Sequence, residues 1–103
     1  MMLCDAHAHL GNDTEWEERT GKGILSLICA TGPEEAGKLF CRLEWLKGRA
    51  VVSTAGLHPW YADQYTVQDM EPYIRRCPVV GEIGMDSVWC QVPLPVQERV
   101  FRE

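Results

Sequence analysis

Short apolar runs recur along the chain, separated by polar or amphipathic stretches. Four of them, at 2–9, 23–30, 50–57 and 79–83, are rich in apolar, β-branched and small residues. They are nearly continuous in apolar character, the pattern of strands buried on both faces of a parallel sheet. Between the second and third lies 34–46, where Ala36, Leu39, Phe40, Leu43 and Leu46 repeat at helical spacing behind Pro33. Proline is favoured at a helix start, so this is the clearest helix of the chain. The segment 66–77 sets Val67, Met70, Ile74 and Cys77 on one helical face and has Asp69 three residues after Thr66. That spacing is a faint capping-box signature. Pro72 inside it predicts a short or kinked helix. A last helix begins near Pro95, with Val96, Val100 and Phe101 as its apolar face.

Strand starts near 2, 23, 50 and 79 repeat at the spacing of βα units of about 30 residues. The fold class is therefore α/β, with about four parallel strands and intervening helices. A TIM (β/α)8 barrel needs roughly 250 residues, so four such units make its N-terminal half. A complete four-stranded α/β domain fits the same periodicity. Residues 1–103 read as one domain, undivided by repeats or low-complexity linkers. The first crossover, 10–22, is anomalous. Parallel strands need a connection of about a dozen residues, usually with a helix. Residues 15–19 offer little more than one turn, so that face of the sheet is expected to be thinly covered.

The histidines fall on the strand ends. In Asp5-Ala6-His7-Ala8-His9 the two imidazoles share strand parity and can converge on one metal ion. Asp5 has the same parity and could accept a ring N–H. The alternative is a pair of ordinary histidines near a strand end. In Gly81-Glu82-Ile83-Gly84-Met85-Asp86 a carboxylate ends an apolar run, which is costly unless it is paired with Arg or bound to a cation. Asp86, just beyond, could orient a ligand or water, or cap the next turn. In Gly56-Leu57-His58-Pro59-Trp60 the proline ends the third strand and holds His58 extended. His58 is then either an exposed loop residue or a side chain presented at the catalytic end of the sheet.

Composition narrows the options. A 46% hydrophobic, 24% charged chain is ordinary globular protein. It has no apolar run near the ~20 residues of a membrane span. It lacks a signal-peptide start as well, so a cytoplasmic location is expected, with no membrane partner. The five cysteines include no C-x-x-C pair, which argues against a disulfide framework and a zinc ribbon. The net charge of −5 comes without a Lys/Arg cluster. An anionic substrate would have to meet a cation, and a bound divalent metal is the usual solution.

Taken together, DAHAHL at 5–10, GLHPW at 56–60 and GEIGMD at 81–86 resemble, in order and spacing, three signatures of the TatD family of metal-dependent hydrolases. Gln97 followed by Val100 and Phe101 is similar to the start of that family's next helix. The resemblance implies a TIM barrel with one or two divalent ions (Mg, Mn or Zn) at its mouth. By this resemblance His7, His9 and Glu82 are metal ligands, and Glu82, His58 and Asp86 are the catalytic residues, with His58 facing the substrate phosphate. The implied reaction is hydrolysis of phosphodiester bonds in DNA. The family supplies two further histidines and an aspartate from later strands, whereas this chain has three histidines in all. The chain alone is therefore expected to be inactive. Two other readings are an amidohydrolase-type enzyme acting on an amide, ester or lactone, and a non-catalytic metal-binding half barrel. An isolated half barrel exposes sheet edges, so self-association is expected.

Overall fold

The structure is a computed structural model that describes residues 2–46, 48 and 50–103. Strand β1 (Cys4–Ala8) is followed by helix α1 (Asp13–Gly21), β2 (Leu25–Ala30), α2 (Pro33–Leu46) and β3 (Val51–Ala55). A 3-10 turn (Pro59–Tyr61), α3 (Val67–Ile74), β4 (Val79–Val80) and α4 (Leu94–Arg102) complete the chain. The strands form one sheet in the order β1-β2-β3-β4. Every neighbouring pair is parallel. Four parallel strands alternating with helices make half of an α/β barrel.

Local rules account for the helices. In α2 the apolar stripe buries Ala36, Leu39 and Leu46 completely or nearly so. Helix α3 opens with a full reciprocal box: Thr66 Oγ1 accepts the Asp69 N–H and Asp69 Oδ2 accepts the Thr66 N–H. Aspartate serves here where glutamate is usual. Pro72 lies inside this helix, which is short, eight residues long. Its Tyr73 ring meets Phe40 of α2 at 5.3 Å between centroids, fastening the two helices together.

The first crossover differs from expectation. A nine-residue helix occupies it. Trp16 is its one apolar residue, which left no periodic stripe to read, yet it is 1% exposed and belongs to the central core. Asn12 caps the helix by accepting the Glu15 N–H at 2.9 Å, and Asp13 and Glu15 place negative charge in its first turn, where the helix dipole favours it. One tryptophan and a cap replace the missing stripe.

The strands are also less uniformly buried than expected. β2 is the most deeply covered, with Ser26, Ile28, Cys29 and Ala30 buried. β4 is only two residues long and exposed, and most of β1 is exposed as well. Both are outer strands, each with one neighbour among the described residues. The five cysteines are free thiols. Among the described residues no helix is long and apolar enough to cross a membrane.

The exposed outer strands, with Val79 and Val80 in β4 and Leu3 and Ile83 beside β1 and β4 all exposed, are templates for pairing with another chain. At micromolar concentration, sizing with light scattering is expected to report a mass above the 11.7 kDa of one chain. A strictly monomeric species would show that these edges are protected in solution.

Candidate metal centre

His7 lies on β1, His9 one residue past its end, and Glu82 two residues past β4. One ligand atom from each lies within 4.8 Å of the others. His7 Nε2 is 2.9 Å from Glu82 Oε1, and His9 Nε2 is 3.8 Å from Glu82 Oε2. Ligands bonded to one tetrahedral zinc-like ion sit about 3.3 Å apart, so these two separations bracket what an ion requires. The donor set of two imidazole nitrogens and a carboxylate suits a divalent cation. It also leaves room for water or substrate. The site is open: the two histidine side chains are 56% and 44% exposed and Glu82 25%.

Glu82 is held by β3. The Gly81 N–H donates to the Ala55 carbonyl at 3.0 Å. Thr54 Oγ1, buried at the end of the same strand, donates to the Gly81 carbonyl at 2.9 Å. Gly56 completes the seat. A Cβ there would lie 2.6 Å from the Glu82 carbonyl oxygen and 2.8 Å from the Ile83 side chain. Only glycine lets this backbone approach so closely.

The histidines have their own supports. His9 Nδ1 lies 3.1 Å from Glu35 Oε1. The same oxygen accepts the Thr31 N–H at 3.0 Å. With the His9 proton on Nδ1, that N–H donates to Glu35 Oε1 and the Nε2 lone pair is left on the side of Glu82, the role a carboxylate plays behind a metal-bound histidine. His7 Nδ1 faces the buried Cys29 thiol at 3.9 Å.

Asp5 was the expected ring partner, and the structure gives it different work. It accepts from Arg19 Nη1 at 2.7 Å and from the His7 backbone N–H at 3.1 Å. The Arg19 hydrogen bond, then that of His7, holds its carboxyl below the usual range. Arg19 also bonds Glu15 Oε1, so Asp5 ties β1 to α1 and fixes the His7 backbone.

His58 lies outside the three-residue group. Its Nδ1 accepts the Trp60 N–H at 3.2 Å, which leaves the proton on Nε2. It shares an open cleft of about 480 Å³ with Trp60, Glu82, Met85 and Asp86. Asp86 is engaged on both oxygens. Oδ2 accepts the Trp60 indole N–H at 3.0 Å, and Oδ1 accepts the Val88 and Trp89 N–H groups at 2.8 and 2.9 Å. These bonds, the Trp60 one first, hold its carboxyl below the ordinary value. Gln97, buried at the start of α4, clamps the Asp86 backbone from both sides, accepting its N–H and donating to its carbonyl.

Glu35 and Trp60 are the site residues that sequence reasoning passed over. The signal for Glu35 was a glutamate in the first helical turn after the second strand, next to the histidine-bearing strand. Nothing local marked Trp60, whose link to Asp86 spans 26 residues.

The class the structure defines is half of a parallel α/β barrel, with two histidines and a glutamate that could hold a metal ion gathered at the carboxyl ends of its strands. The family model described as TatD related DNase matches residues 4–103, and the chain belongs to that family. No curated protein matches the chain.

Two outcomes are expected. Glu35→Ala should weaken divalent-metal binding about 10- to 100-fold, read by calorimetric titration with Mn²⁺ or Zn²⁺; unchanged affinity would remove Glu35 from the support of His9. For Asp86 the folded-state pKa lies below the ordinary 3.8. Its stabilising contribution is therefore present above that value and is lost as pH falls through the lower folded one. Asp86→Asn should lower the urea midpoint at pH 7 and flatten its decline toward about pH 3. An acid limb as steep as that of the unmodified chain would contradict this.

Proposed function

We propose that the chain carries the metal-binding part of a barrel that hydrolyses phosphodiester bonds in DNA with the help of one or two divalent cations. The observation that supports this most is the convergence of His7, His9 and Glu82 in a chain of the TatD related DNase family. A cation bound by these side chains would lower the pKa of a water and neutralise charge on the phosphate oxygens. The chain's own residues do the rest. Glu82 offers one oxygen toward each histidine, so it can serve one ion or join two. His58 keeps its proton on Nε2 because Trp60 occupies Nδ1, and it can donate that proton as a hydrogen bond to a phosphate oxygen. Asp86, with both oxygens taken by N–H donors, acts by holding Trp60 and the turn beyond it.

The chain's −5 charge fits this reading, because the metal supplies the positive charge that the surface lacks. All three histidines are already in use. The further ligands that the family resemblance implies belong to later strands. On this ground the 103 residues alone are proposed to bind metal without turnover, with activity residing in the complete barrel. The same shortage supports a second reading, in which the half barrel binds metal and associates without catalysis.

The test has two arms. His7→Ala should abolish stoichiometric metal binding, measured by elemental analysis after gel filtration; retained stoichiometry removes His7 from the ligand set. In the complete barrel, His58→Ala should lower kcat about 100- to 1000-fold with metal content unchanged. A panel of phosphodiester, amide, ester and lactone substrates with Mg²⁺, Mn²⁺ or Zn²⁺ decides the reaction class. Turnover confined to the amide, ester or lactone members would replace the nuclease reading.

A further inference from the structure

We propose that Trp60 is the stacking plate of a nucleobase subsite beside the metal centre, so that the substrate bound there is recognised by a base as well as by its phosphate. The inference rests on the phosphodiester reading above and adds a second recognition element to it.

Trp60 is 50% exposed, yet it is not loose. Its indole N–H is tied to Asp86 at 3.0 Å, and its ring stands against His58, edge to face, at 5.4 Å and 85°. The Asp86 turn that holds it is in turn clamped by buried Gln97. An aromatic ring oriented at two points, one of them on a clamped turn, with half its surface open is preorganised for a flat partner.

The cleft's chemistry defines that partner. Its about 480 Å³ falls within the usual size of small-ligand sites. Glu82 stands in it with His58 and Asp86, and Trp60 and Met85 line it, with no Lys or Arg among the described lining residues. Among the described residues no cationic side chain lines the cleft, so an anionic group entering it would be met by a metal that Glu82 would help to hold. The remainder of the ligand meets an aromatic face and a thioether. A nucleotide, anionic at one end and flat and aromatic at the other, matches both ends of the cleft, and its base stacks on Trp60 where one face of that base is free. Stacking of this kind accepts any base, because every base has a π face.

The test compares two probes of equal length and charge, an oligothymidylate of about eight residues and the matching abasic strand, chosen within usual single-strand site sizes. Binding to the 103-residue chain is read by fluorescence anisotropy with Mn²⁺ present and after chelation. The unmodified chain should bind the base-bearing strand about five- to 150-fold tighter than the abasic one. Trp60→Ala should remove that difference while leaving metal-dependent binding of the abasic strand, and Trp60→Phe should keep most of it. Trp89→Ala is the control, since Trp89 is exposed but does not line the cleft; base preference should survive it. Metal-dependent binding without base preference in the unmodified chain would overturn the subsite and leave the phosphodiester reading standing. Binding of neither probe, or binding indifferent to metal, would take down both. Base preference that survives Trp60→Ala, or a Trp60→Ala chain whose urea midpoint falls while its preference stays, would make Trp60 a packing residue.

Discussion

The centre depends on one contact between opposite edges of the sheet. His7 belongs to β1 and Glu82 follows β4, and the strand order puts two other strands between them. Three strand spacings in a flat sheet amount to ~14 Å. The side chains nevertheless meet at 2.9 Å. A flat four-stranded sheet would leave these groups far apart, so the curl that begins a barrel is what assembles the ligand set. The features that permit the curl are small: the Gly56 contact, the Thr54 hydroxyl under the Gly81 carbonyl, and the short β4 that ends before it can straighten the edge. A bulky residue at Gly56 would push Glu82 away from β3 and, through it, from the histidines.

Energetics explain why such a site suits an ion better than it suits itself. The direct His7–Glu82 pair is more than half exposed on the histidine side. Pairs of that kind contribute about 0–1 kcal/mol. A divalent cation held by these groups would offer far more, so it would displace the pair at little cost. Orientation is then the remaining demand, and it is met from the helices. Glu35 in the first turn of α2 fixes the His9 ring, and Asp5, held by Arg19 of α1, fixes the His7 backbone. Helices α1 and α2 thus each also steer a candidate ligand.

Much of this was legible in the sequence. The α2 stripe, the four strands and the position of every histidine at a strand end follow from periodicity and from proline at 59. Parity alone put His7 and His9 on one side. What was hidden had physical reasons. Helix α1 is built on a cap and one buried tryptophan, which periodicity cannot detect. The exposure of β1 and β4 depends on their being outer strands, a property of sheet order and not of local composition. The Arg19 partner of Asp5 and the Trp60 partner of Asp86 lie 14 and 26 residues away and had no local signal, whereas Asp86 caps the next turn through the Val88 and Trp89 N–H groups, one of its two expected roles.

Edge exposure and metal binding share one cause, and this couples them. Curling brings Glu82 to the histidines, and the same curl presents β4 outward, unpaired on its far side among the described residues. A strand added to that side would pin the segment that carries Glu82, lowering the entropic cost of closing the ligand set. A bound cation, conversely, stabilises the curled state in proportion to the logarithm of its concentration over its dissociation constant. Linkage requires the two effects to be equal and reciprocal. On the proposed reading, the affinity of the cation site would be set partly at the edge of the sheet. A strand added there would tighten the site, and a bound ion would favour the geometry on which that strand pairs.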